Sequence, residues 1–124
     1  MEYNNKGWRR IILATDCSVK GLRAAWKNEA AFRQECIACF LLFPVALYLD
    51  ITVIEKLLLL GSCILVLVAE LLNSALEAVV DRVGLEHHEL SGRAKDMGSA
   101  AVFVAMLWVM MVWSVVIYGR YFLV

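Results

Sequence analysis

The sequence predicts an all-α membrane protein, with an N-terminal amphipathic surface helix followed by three transmembrane helices, assembled as a homo-oligomer. Three observations carry this reading. The chain has 124 residues, 62% of them hydrophobic, with a mean hydropathy of +0.72, which is too apolar for an ordinary soluble domain of this size. Its apolar residues gather into three stretches, each long enough or nearly long enough to cross a bilayer core of ~20 helical residues. Its cations concentrate ahead of the first stretch. With 12 Lys+Arg against 12 Asp+Glu, net charge gives no argument for nucleic acid or another strongly charged partner.

The elements follow in order within a single domain, 1–124. Residues 6–27, roughly, mix Trp8, Ile11, Ile12, Leu13, Leu22 and Trp26 with basic side chains, the pattern of a helix lying at a membrane surface. Gly7 and Gly21 allow a break or bend in it. The segment lacks the apolar core and small-residue cleavage site of a signal peptide, so it is expected to be retained. The first span is expected over 30–49: the apolar run from Cys36 to Leu49 is short and borrows Ala30 to Glu35 to cross, with a kink expected at Pro44. The second span, 53–80, begins as an uninterrupted apolar block. The third, 97–120, is built on the apolar run from Ala100 to Tyr118.

Cys17, Cys36, Cys39 and Cys63 form no disulfide framework, and the lone Cys36–Cys39 pair lacks further metal ligands; they read as small core or lipid-facing residues. Lys6, Arg9, Arg10, Lys20, Arg23, Lys27 and Arg33 precede the first span, Lys56 alone follows it, and Arg82, Arg93 and Lys95 follow the second. This bias puts the N-terminus and the second loop in the cytoplasm.

The second span is interrupted by Glu70, Asn73, Glu77 and Asp81, whose spacing lines them along one helix face. Acids within an apolar helix are costly, so they face a bundle interior or a wet cleft and mark an ion, proton or substrate site. Ser74 reads as interhelical glue, Asn73 equally as glue or as a site residue, and Asp81 as an interface residue pairing with Arg82 or Arg93. The segment DRVGLEHHELSGRAKD (81–96) reads as a polar loop. His87 and His88 are adjacent and point apart, so solvation is their default. Asn28, Glu29, Arg33, Gln34 and Glu35 reach the same membrane depth.

Carboxylates and cations converging at one depth suit phosphoryl transfer, in which catalysis is mostly positioning and charge neutralisation. Magnesium prefers one or two carboxylates plus phosphate oxygens; Glu29 and Glu77 are candidates to hold it. Lys95 and Arg10 are placed to meet phosphates, and Glu70 to act as base toward a lipid hydroxyl. No Gly-rich Walker-type loop is present.

The segments KGLRAAWKNEAAFRQE (20–35), ELLNSALEAVVDR (70–82) and HELSGRAKDMGSAAV (88–102) resemble the bacterial integral-membrane diacylglycerol kinase family. The resemblance implies a homotrimer in the bacterial cytoplasmic membrane, with active sites shared between neighbouring subunits, that phosphorylates diacylglycerol to phosphatidic acid with ATP and Mg2+. It implies Glu70 as the catalytic base and Glu29 and Glu77 as magnesium ligands that also position ATP. Arg10, Glu86, His88, Lys95 and Asp96 would complete the nucleotide site, and Arg10, Asn73 and Ser99 would stand near the lipid and reacting groups. Undecaprenol kinases are related members and are the alternative substrate class. From a different class, Glu70 and Glu77 lining a small oligomeric ion or proton channel is the competing reading, and a structural subunit of a larger complex is a third.

Overall fold

In hydrocarbon every backbone polar group must be satisfied within its own segment. Among the described residues, 7–123, the computed structural model contains four α-helices and no strand: α1 (Trp8–Asn28), α2 (Ala30–Tyr48), α3 (Val53–Val83) and α4 (Glu89–Tyr121). The last three are long and apolar enough to cross a membrane.

α1 begins after Gly7, which adopts φ +74°, a region an L side chain rarely enters. It then runs unbroken through Gly21, one of the two glycines that allow a bend. The first residue of the expected surface helix, Lys6, lies outside the described residues. Only Ala25 of α1 is buried, while Trp8, Ile11, Ile12, Leu22 and Trp26 are exposed among its cations, as suits a helix whose apolar side meets lipid. Asp16 pairs with Lys20 at 2.9 Å, one turn apart, and that contact holds the ammonium above the usual lysine range.

A single extended residue, Glu29 (φ −117°, ψ 105°), separates α1 from α2. Arg33 reaches back to donate from Nη1 to the carbonyls of Trp26 (2.8 Å) and Lys27 (3.2 Å), satisfying acceptors that the end of α1 leaves open. α2 continues through Pro44 to Tyr48. Its 19 residues give ~28 Å of helix, close to the ~30 Å hydrocarbon core.

A capping box starts α3: Glu55 N–H donates to Thr52 Oγ1 and Thr52 N–H to Glu55 Oε1, both at 3.2 Å. Lys56 Nζ donates to the Leu47 carbonyl at 2.8 Å, closing the end of α2. Far along the chain, Arg120 clasps this turn, its guanidinium pairing with the Asp50 carboxylate and its Nε donating to the Asp50 carbonyl at 2.6 Å.

The buried positions of α3 are Leu59, Ser62, Cys63, Val66 and Glu70, a stripe at three- and four-residue spacing. Leu59, Ala46, Val112 and Val116 form the core cluster. Ser62 Oγ donates to the Leu59 carbonyl at 2.7 Å, and Cys39 Sγ contacts the Cys63 carbonyl at 3.7 Å. Two of the four cysteines, Cys39 and Cys63, are therefore core residues. α3 packs mainly along α4 and next on α2, with α1 lightly attached to α2.

The segment 81–96, read as a loop, is mostly helical. Only Gly84–His88 lies outside helices, so Asp81 ends α3 while Lys95 and Asp96 sit in the second turn of α4. The physical reason is capping: His88 Nδ1 accepts the Leu90 N–H at 3.1 Å and starts α4 well before its apolar run. The 31 residues of α3 and 33 of α4 give ~46 and ~50 Å of helix, so each overshoots the hydrocarbon by roughly 15–20 Å.

Candidate active site

The carboxylate of Glu70 takes the next position in the buried stripe of α3, and it is only 6% exposed. The negative charges of Glu77, two turns on, and of Glu29, from the α1–α2 break, both face it. The carboxyl of Glu35, one turn into α2, lies against it within hydrogen-bonding range. Glu35 Oε2 is shut from solvent without a hydrogen-bond partner. Three elements thus deliver four glutamates to one place. Glu29 is half-buried and its side chain caps neither adjoining helix, which leaves the carboxylate free for other work.

Glu35 stands in the polar set that the sequence brings to this depth, without a role of its own; the packing of α2 on α3 brings it to Glu70.

Three cavities lie along α3, one of them bordered by Glu29. A groove of about 830 Å³ between α3 and α4 is lined by Leu65, Leu72, Val104, Ala105 and Trp108, and Asn73 and Gly98 contribute to its wall. Its walls are almost wholly apolar, and Asn73 Oδ1 is buried there without a hydrogen bond. A space of about 710 Å³ separates α1 from α3, bounded by Gly21, Ala25, Glu29, Leu71, Ser74 and Ala78. A small polar cavity of about 210 Å³ sits at the α3–α4 turn, lined by Asp81, Gly84, Glu86, His88, Ser91 and Lys95 among others.

In that polar cavity Lys95 Nζ pairs with Asp81 Oδ1 at 2.7 Å. Asp81 therefore pairs with neither Arg82 nor Arg93, the partners expected from sequence; Arg93 instead lies 3.6 Å from Glu89. The Glu86 carboxylate folds back over Gly84, where an added Cβ would come within 2.8 Å of its Oε1. His88 is fixed by capping α4 through Nδ1.

The structure thus draws Glu70 together with Glu29 and Glu77, and sets Glu86, His88 and Lys95 around one cavity. Asp96 and Ser99 are exposed on α4, and Arg10 is exposed near the start of α1. Arg10 stands 18 residues before Asn28, or ~27 Å along the helix, from the end that carries Glu29. Within one copy it does not join the carboxylates. Among the described residues no group of three or more His, Cys, Asp or Glu side chains forms a metal cage. A pair of carboxylates such as Glu29 and Glu77 nonetheless suits magnesium, which takes one or two protein carboxylates and completes its shell with water and phosphate oxygens.

These features define a small multi-span helical membrane protein with a buried acidic site beneath a polar turn. Residues 16–117 match the family described as prokaryotic diacylglycerol kinase. The chain is 53% identical over 121 residues to the diacylglycerol kinase of Escherichia coli (strain K12), covering 98% of this chain and 99% of that one. It is 49% identical to the diacylglycerol kinase of Haemophilus influenzae (94% and 98% covered) and 50% identical to that of Pseudomonas aeruginosa (91% and 92%). The chain belongs to the prokaryotic diacylglycerol kinase family.

Proposed function

We propose that the chain transfers the γ-phosphoryl group of ATP to the free hydroxyl of diacylglycerol, yielding phosphatidic acid and ADP at the cytoplasmic face of a bacterial membrane. The observation that carries this reading is the buried Glu70 carboxyl, gathered with Glu29, Glu35 and Glu77 on a helix whose Asn73 lines an apolar groove. The names of the relatives supply the lipid.

In the proposed step Glu70 accepts the lipid hydroxyl proton as that oxygen bonds to the γ-phosphorus. The bond to the bridging oxygen breaks, and ADP leaves. Glu35, in contact with Glu70, orients it and shares its proton. Asn73, with an unpartnered acceptor oxygen at the groove wall, receives the hydroxyl or glycerol end while the apolar groove takes an acyl chain. Glu29 and Glu77 hold the magnesium that accompanies ATP, which when bound neutralises phosphate charge. Glu86, His88, Lys95 and Asp96 contact the nucleotide, and Ser99 lies near the reacting groups.

Self-association belongs to the same proposal. Large apolar side chains such as Phe40, Val79, Phe103 and Met110 are exposed along the three spans, and three helices barely enclose a polar cleft away from lipid. Arg10 meets phosphates only from a neighbouring copy, given its distance along α1. A homotrimer with shared sites accommodates both facts, with the N-terminus and the α3–α4 turn in the cytoplasm.

The test is to incubate purified protein in mixed micelles with Mg-ATP and either diacylglycerol or undecaprenol, and to identify phosphorylated lipid by mass spectrometry. Phosphatidic acid as the dominant product is expected. Undecaprenyl phosphate as the dominant product would replace the substrate and keep the chemistry. Absence of any lipid product, with nucleotide-independent ion flux in liposomes, would overturn the kinase reading in favour of a channel.

A further inference from the structure

The polar cavity at the α3–α4 turn contains an acid with no role in the step proposed above. Asp81 lies in the last turn of α3 and Lys95 in the second turn of α4, and their 2.7 Å ion pair spans the five-residue connection between them. Among the described residues, Lys95 is the only lysine or arginine lining that cavity, against two acids, Asp81 and Glu86. A lysine side chain is a flexible four-carbon stem ending in three donors. One donor is committed to Asp81, and the other two remain for acceptors entering the cavity.

We propose that Asp81 is a positioning residue for nucleotide binding: it holds Lys95 over the turn cavity so that the remaining ammonium donors meet phosphate oxygens. The inference rests on the reading that this cavity takes the phosphates of ATP. The side chains are 43% and 49% exposed, so the carboxylate charge is screened from the incoming anion. Repulsion by Asp81 is therefore weaker than the gain from a pre-aimed lysine. Of the other titratable groups on the cavity wall, His87, His88 and Glu86, His88 is fixed by capping α4 and Glu86 lies folded over Gly84. The flexible lysine is the group that needs a tether.

The experiment measures KM for Mg-ATP, KM for lipid and kcat in Asp81→Ala, Asp81→Asn, Lys95→Met and the Asp81→Ala/Lys95→Met pair. Expected is a rise in KM for ATP of about fivefold in Asp81→Ala, with KM for lipid and kcat little changed. Asp81→Asn, which keeps a neutral acceptor, should fall between wild type and Asp81→Ala, and Asp81→Ala should add nothing in the Lys95→Met background. A lowered or unchanged KM for ATP in Asp81→Ala, with a raised KM in Lys95→Met, would overturn the positioning role and leave the nucleotide reading intact. An unchanged KM for ATP in Lys95→Met would remove the nucleotide reading of the cavity, and the inference with it.

Discussion

Gly98 of α4 meets the side chain of Asn73 on α3 with no room for a Cβ between them: an added carbon would collide with Asn73 Oδ1 and lie 3.3 Å from its Cγ. This close approach lies at the wall of the apolar groove, beside a buried acceptor oxygen without a partner. Gly98→Ala should displace either the helix or the amide, at an overpacking cost of about 1–3 kcal/mol, and should depress lipid phosphorylation. Thermal unfolding in detergent checks the first effect. In Gly98→Ala/Asn73→Ala the colliding atoms are gone, so a stability cost undiminished in that double variant would contradict the contact.

Glu70→Gln keeps the size of the side chain and stays polar beside Glu35, so the protein should fold. Without the base, turnover should fall by about 10²–10⁴-fold. Steady-state assay beside size-exclusion chromatography separates the two effects, and full activity in a folded variant would remove Glu70 from the chemistry.

Glu29→Gln and Glu77→Gln should act on the metal requirement. Each should raise the magnesium concentration for half-maximal activity and leave KM for lipid nearly unchanged. A magnesium titration at saturating ATP reads this directly. Identical titration curves for wild type and both variants would exclude the two side chains as ligands.

Leu59 is fully buried against Ala46, Val112 and Val116, far along α3 from the glutamates. Since lipid is as apolar as leucine, its truncation costs packing rather than transfer from water. Leu59→Ala should therefore destabilise near the lower end of the ~2–5 kcal/mol range seen for buried leucines. Activity assayed well below the unfolding temperature should persist, and a selective loss of turnover in a fully folded variant would show that this core is coupled to the site.

Much of this arrangement was legible in the chain. Apolar runs mark three spans because lipid imposes both length and composition. The Glu70–Asn73–Glu77 stripe is readable because its neighbours in space are neighbours in helical spacing. Glu35 was placed at the right depth but given no role, since no local pattern says which face of α2 meets α3. Asp81 and Lys95 are 14 residues apart and become partners only because the chain reverses in five residues. The early start of α4 escaped because its signal is a histidine cap rather than Ser, Thr, Asp or Asn, placed before a polar helical turn. Gly21, which allows a bend, leaves α1 continuous, as a single glycine lowers helix propensity by only about 1 kcal/mol relative to alanine.

The clasp between Arg120 and Asp50 carries information about the order of assembly. Its partners are 70 residues apart, and Arg120 leaves the ribosome after all three apolar runs have emerged. The α2–α3 hairpin has its capping box and its Lys56 contact in place much sooner, because short separations close at little entropic cost. By loop-closure entropy that hairpin is the part expected to form first, with the last helix docking against it. The arginine then acts as a latch that registers α4 against it from the membrane face opposite the glutamates.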